Sequence, residues 1–154
     1  MMRIADFLDF RAVDAHLGAS NKPGVLRELV GLILRVEPSL DPNLLVETLQ
    51  RRELLQSTGI GNGVAIPHGK CDAVERIIAC VGRSQAGVDF QSLDGLPTHL
   101  FFTLIVPESA QGSHLKALAR LSRLLSDDGF RQALLEAPDA DALFTLLTQR
   151  DAQL

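Results

Sequence analysis

One stretch constrains this chain more than any other: Ser57-Thr58-Gly59-Ile60-Gly61-Asn62-Gly63-Val64-Ala65-Ile66-Pro67-His68-Gly69-Lys70. Pro67 biases Ile66 toward an extended backbone and obstructs any following helix, so Val64-Ala65-Ile66 reads as a short apolar strand. His68 then falls where that strand gives way to a loop. Around it lie glycines, two hydroxyls and a lysine. Glycines let backbone N–H groups approach an anion closely, and successive N–H groups form a concave nest. Imidazole, with an ordinary pKa near ~6.5, is largely neutral and nucleophilic at cellular pH. A nucleophile beside an anion cradle points to phosphoryl chemistry, with His68 itself as the acceptor.

The flanking patterns suggest an α/β layered domain, with strands in the middle of the chain and helices at both ends. Ala12 to Leu17 alternates weakly and reads as a short strand, followed by a turn at Gly18-Ala19-Ser20-Asn21. Val25, Leu26, Leu29, Val30, Ile33 and Leu34 recur at helical spacing, with Pro23 acceptable in a first turn. Asp41-Pro42 reads as an N-cap and N1 proline opening a second helix to about Glu53. Ile77 to Val81 and Leu100 to Val106 are strand-length apolar runs, the second suited to burial on both faces. Between them Val88-Asp89-Phe90 suggests an edge strand, and Asp94-Gly95 a turn. Three helices are expected last, opened by Ser113, by Asp127 or Asp128, and after Pro138-Asp139.

The chain has 154 residues, 46% hydrophobic and 22% charged, which is a single soluble domain by length and composition. A net charge of −4, with no Lys/Arg cluster, gives no reason to expect nucleic acid. No apolar run reaches the ~18 residues of a membrane span, and the amino terminus lacks a signal-peptide core, so a cytoplasmic protein is expected.

Two familiar phosphate loops are excluded. A dinucleotide fingerprint begun at Gly59 and Gly61 needs a third glycine where Val64 stands. A Walker A loop ending at Gly69-Lys70 needs glycine at Val64 and Ser or Thr at Cys71. A metal site is disfavoured too, because His68, His99 and His114 lie far apart and the two cysteines, Cys71 and Cys80, match no zinc or redox spacing. Cys71 beside His68 leaves a thiol–imidazole nucleophile open, against the more ordinary reading of a small buried thiol. His16 and His99 fall in expected strands and are assigned no function.

The Ser57–Lys70 wording resembles the phosphorylation-site signature of phosphotransferase-system (PTS) enzyme IIA proteins of the fructose/mannitol/nitrogen type, and most of all the nitrogen-regulatory branch. The similarity extends to Arg51-Arg52-Glu53, Val106-Pro107 and Ser113-His114-Leu115, and so covers nearly all of residues 1–154 as one EIIA type-2 domain. It implies a three-layer α/β/α sandwich with a small mixed β-sheet. It also implies that His68 accepts a phosphoryl group from an HPr-like phosphohistidine carrier, through Nε2, with Nδ1–H held by a nearby carbonyl. His114 matches the second active-site histidine and Arg52 the active-site arginine. Gln56 departs from a common glycine, and Cys71 from an aliphatic residue.

In-line phosphoryl transfer asks for positioning and for stabilisation of the equatorial oxygens. His114, at a helix N-terminus, is suited to donate an uncharged ring N–H to such an oxygen. Arg52 offers a permanently charged fork to the phosphoryl group or the carrier; adjacent Arg51 is set aside only by the resemblance. Ser57, Thr58, Gly59, Gly61, Gly63 and Gly69 are the candidate phosphate-binding positions, and Lys70 reads as a solvated charge. A single phosphoryl group passing between imidazoles needs no bridging metal, so neither metal nor cofactor is expected. The expected role is a carrier rather than a small-molecule turnover enzyme, regulating partners such as kinases or transporters through its phosphorylation state. The alternative is a sugar-specific fructose/mannitol-type IIA subunit that passes phosphate to a membrane permease.

Overall fold

Asparagine and aspartate side chains decide where most of the helices begin. The computed structural model describes residues 2–109 and 112–154. Asn21 accepts the Gly24 N–H at 2.8 Å and opens α1 (Lys22–Val36), and Asp41 accepts that of Asn43 at 3.0 Å and opens α2 (Pro42–Leu55). Asp127 and Asp139 do the same for α4 (Asp128–Glu136) and α5 (Ala140–Ala152). Each cap satisfies an N–H that the helix leaves without a partner. The intervening α3 (Ser113–Leu124) differs from expectation: Gly112, at φ 91°, is its N-cap, and Ser113 is the first helical residue rather than the cap.

The strands are β1 (Leu8–Asp14), β2 (Gly59–Gly61), β3 (Val64–Ala65), β4 (His68–Cys71), β5 (Ile78–Val88) and β6 (Thr98–Pro107). They form one mixed sheet in the order β1-β5-β6-β3-β2, with β4 pairing β6 beyond β3. The β5–β6 and β2–β3 pairs are antiparallel; β1–β5, β3–β6 and β4–β6 are parallel. Along β6, Leu100, Phe102, Leu104 and Val106 enter one core, and Phe101 and Ile105 enter the other. The period-2 alternation of a strand delivers apolar side chains to both faces of the sheet, as the run Leu100–Val106 requires. Leu26, Leu29 and Ile33 of α1 and Leu45 and Leu49 of α2 cover one face. Leu121 of α3, Leu134 of α4 and Leu143 and Leu147 of α5 cover the other. The result is the three-layer α/β/α arrangement.

Several strand assignments differ from the sequence reading: His68, expected in a loop, instead opens β4, and β5 runs on to Val88 rather than ending at Val81. β1 occupies Leu8–Asp14 rather than Ala12–Leu17, because the Asp14 carboxylate accepts the His16 N–H at 2.8 Å and turns the chain out of the strand. His16 therefore lies exposed beyond it. Val88-Asp89-Phe90 is no separate edge strand: Val88 closes β5 opposite Thr98, and Asp89 makes an isolated bridge to Asn21.

Position follows from this topology. β4 is short and pairs with the last part of β6, His68 opposite Leu104 and Cys71 opposite Pro107. His68 is thus the first residue of a strand, at the end of the sheet where β6 exits toward α3.

Candidate functional site

A cleft of about 760 Å³ opens over β4, lined by residues from α2, β4, the end of β6 and the start of α3. Arg52, His68, Gly69 and His114 all line it, so four of the residues singled out from the sequence meet there. They come from segments separated by as many as 62 positions, and β6 carries the chain between them.

His68 is half-buried, and its Nδ1 lies 2.8 Å from the Ile66 carbonyl oxygen. A carbonyl can only accept, so Nδ1 carries the proton and Nε2 keeps the lone pair. Burial holds the imidazole below its ordinary 6.5, and Arg52, with a smaller contribution from His114, pushes it the same way. The Ile66 bond and the Glu53 carboxylate oppose this shift. The ring is therefore neutral at pH 7, with one nitrogen tied down and the other nucleophilic.

Arg52 sits in the last turn of α2 and donates from Nη1 to the Gln56 carbonyl at 2.9 Å. Arg51 also lines the cleft, but its guanidinium pairs with Glu47 one turn back. Gln56 is extended, at φ −171° and ψ 139°, a backbone that any residue adopts, and it meets Arg52 through its carbonyl. Its departure from glycine consequently leaves the local geometry undisturbed. His114, in the first turn of α3, has a buried Nδ1 with no hydrogen-bond partner among the described residues.

The glycine-and-hydroxyl segment expected to cradle phosphate lies, apart from Gly69, outside the cleft. Ser57 donates its hydroxyl to the Phe90 carbonyl at 2.8 Å, and Thr58 is buried, with its hydroxyl on Glu53. Neither lines the cleft, and neither do Gly59, Gly61 and Gly63. These three shape the β2–β3 hairpin instead. Asn62 and Gly63 both have positive φ, 58° and 76°, the pattern of a two-residue type I′ turn. Gly61, at φ 95°, precedes it, and Gly59 lies so close to Ser92 that a Cβ would come 2.9 Å from its Cα. The Asn-Gly pair was the signal for this hairpin. The left-handed angles are needed for the turn, and the Gly59 and Asn62 N–H groups are taken by Ser57 and Asp94.

Gly69 does line the cleft, though its reason is packing. A Cβ there would lie 2.6 Å from Thr48 Cγ2, so its absence lets α2 settle on β4 and bring Arg52 over His68. Cys71 is a buried thiol at the cleft floor, and Lys70 is exposed on the rim. His99 donates from Nδ1 to the Ser84 carbonyl at 2.8 Å and, like His16, stays outside the cleft. Among the described residues no three His, Cys, Asp or Glu side chains are placed to share a metal ion, and no helix is long and apolar enough to cross a membrane.

Glu53 escaped the sequence reading. It follows Leu45 and Leu49 at four-residue spacing on the buried stripe of α2, and an acid on such a stripe is the signal that could have found it. Its carboxylate accepts the Thr58 N–H at 3.0 Å and pairs with Lys22 Nζ at 2.9 Å.

Comparison with known proteins agrees with this architecture. A fructose-specific EIIABC component of Bacillus subtilis (strain 168) is 38% identical over 97% of this chain, which spans only 24% of that protein's length. A nitrogen regulatory protein of Bradyrhizobium diazoefficiens is also 38% identical, over 95% of each chain. The crystal structure of the nitrogen regulatory protein IIA-Ntr from Neisseria meningitidis superposes with a TM-score of 0.88 at 34% identity, covering 94% of this chain and 99% of that one. Residues 6–150 match the family "Phosphoenolpyruvate-dependent sugar phosphotransferase system, EIIA 2", and with relatives this similar over nearly its whole length the chain belongs to that family.

Proposed function

We propose that this protein is a phosphoryl carrier of the nitrogen-regulatory kind, phosphorylated on His68 Nε2 by an HPr-like phosphohistidine protein. The observation that carries the reading is the 2.8 Å contact from His68 Nδ1 to the Ile66 carbonyl, which leaves Nε2 as the basic nitrogen of a ring lining an open cleft. In the transfer, the Nε2 lone pair forms a bond to phosphorus as the donor's N–P bond breaks, and the donor imidazole keeps that electron pair. The proton stays on Nδ1, and the Ile66 carbonyl that accepts from it offsets the positive charge that develops on the ring. Arg52 and His114 face the transferring oxygens with a guanidinium and a ring N–H, stabilisation of the kind that phosphoryl transfer depends on.

The cleft also suits a protein donor. Leu44 and Leu55 are exposed on its α2 side and Leu115 is exposed next to His114, an apolar margin around a charged centre. Adding about two negative charges at its middle changes which partners that surface accepts. In this reading the protein acts in the cytoplasm and controls kinases or transporters by its phosphorylation state.

Incubation with the phosphorylated carrier is expected to place an acid-labile, alkali-stable label on His68. A His68→Ala protein labelled at the same rate would overturn the proposal. A second reading, a sugar-type IIA unit feeding a permease, is favoured by the equal 38% identity to the fructose-specific component. Gene neighbours separate the two: a sigma-54-type regulator supports the first, a sugar permease the second.

A further inference from the structure

A chain of hydrogen bonds runs to His68 from the buried side of α2. It begins at Glu53, which is only 8% exposed and is held by Lys22 Nζ at 2.9 Å. Glu53 grips Thr58 twice, accepting the backbone N–H at 3.0 Å and the hydroxyl through its other oxygen. The Thr58 carbonyl then accepts the Ile66 N–H at 3.0 Å. The Ile66 carbonyl, last in line, accepts Nδ1–H of His68 at 2.8 Å. Beyond it, Leu104 N–H holds the Pro67 carbonyl at 3.0 Å, so the peptide between Ile66 and His68 is pinned on both sides.

We infer that Glu53, braced by Lys22, is a positioning residue that selects the attacking nitrogen of His68, acting through Thr58 and Ile66 without touching the phosphoryl group. A stability role alone is a poor explanation for the pair. Withdrawing two charges from water costs about as much as their attraction returns, and an apolar pair of similar volume would serve the core as well. What a doubly gripped Thr58 supplies is a fixed carbonyl direction. A carbonyl that wanders would let the ring adopt its other tautomer, with the proton on Nε2 and no lone pair there for phosphorus. Sub-ångström errors of this kind are costly in transfer reactions, where most of the catalysis is placement. Lys22 is itself located by the Phe90 and Gln91 oxygens, both at 3.3 Å, and by the Phe90 ring, 4.5 Å away.

This inference rests on His68 being the phosphoryl acceptor, so its test reads the unphosphorylated protein first. Imidazole nitrogen NMR at pH 8 is expected to show His68 protonated on Nδ1 alone in the wild type. In Glu53→Ala the Nε2–H tautomer should rise roughly tenfold, and protection of the Ile66 amide from hydrogen exchange should fall by a similar factor. Glu53→Gln, which can still accept from the Thr58 N–H, should restore the wild-type ring signal. Transfer from the phosphorylated carrier should slow in parallel with the tautomer, in kcat and not in KM. Should Glu53→Ala fail to fold, Thr58→Val with Thr58→Ser as its rescue reads the same link. A single Nδ1–H tautomer in the folded Ala or Val variant overturns the inference, as does a Gln variant no better than Ala. If the tautomer responds as expected yet the wild type takes no phosphoryl group, the carrier reading falls and the positioning chain stands.

Discussion

Gly69 and Thr48 are in contact so close that one added methyl would not fit: a Cβ on Gly69 would stand 2.6 Å from Thr48 Cγ2. Thr48 is held in place by its own hydroxyl, which donates to the Leu44 carbonyl at 2.8 Å. Arg52 lies one turn further along the same face of α2, so the Gly69–Thr48 contact sets the height of its guanidinium above His68.

Gly69→Ala is therefore expected to destabilise the protein by about 1–3 kcal/mol, the usual range for overpacking, and to slow phosphoryl transfer by lifting Arg52. Thr48→Ser removes the clashing methyl and keeps the hydroxyl. Combined with Gly69→Ala it should recover most of both losses, read as a coupling energy in a denaturation and transfer-rate cycle.

The ring of His68 has a proton affinity below its ordinary 6.5, through burial first and then through Arg52 and His114. Between the folded and unfolded values the unfolded chain binds more protons, so stability rises with pH across that window. The protein should lose this contribution as the pH falls from 6.5 through the depressed folded value, and His68→Gln should flatten that part of the stability profile. Transfer into His68 should be independent of pH between about 7 and 8, where the ring is already neutral.

Arg52→Ala removes a charge that depresses His68, so the NMR titration of the ring should move to higher pH. The same variant should slow transfer roughly 10²–10³-fold, the scale set by loss of one preorganised donor in an active site. Arg52→Lys keeps the charge but lacks the planar fork, so it should preserve the titration better than the rate.

Both cysteines are buried, and burial pushes the Cys80 thiol up to about 12. The native protein should resist iodoacetamide at pH 8 and take up two equivalents once unfolded. Rapid modification of Cys71 in the native state, with loss of transfer, would instead revive a thiol partner for His68.

Local chemistry was legible from the residues alone. Asp41 announces a helix start, and Asp127 and Asp139 stand at two more, because a cap and the N–H it satisfies lie two or three positions apart; Asn21, read as part of a turn, proved to cap α1 in the same way. The run Leu100–Val106 announces a strand buried on both faces because its composition leaves no polar side. The Pro67-His68-Gly69 setting marked the candidate nucleophile, and the wider resemblance named Arg52 and His114, which line the same cleft.

Tertiary structure decided what the neighbouring groups do, since their partners are remote in the chain. Ser57 donates to the Phe90 carbonyl, 33 positions on, and does not line the cleft. Arg83, wholly buried in β5, gives its protons to carbonyls of Ala15, Leu134 and Ala137, which no spacing pattern relates. Glu53 looks like a surface acid of α2 until Lys22 and Thr58 close over it. Backbone propensity and capping act within a turn of chain, whereas hydrogen-bond satisfaction in a core is settled by whatever packing brings within 3 Å. Sequence thus marked His68 within a glycine-rich approach but read it as a loop position, whereas pairing with Leu104 makes it the start of β4. The resemblance implied a carbonyl on Nδ1, and only the folded arrangement decided that it is the carbonyl of Ile66, with Nε2 left unprotonated.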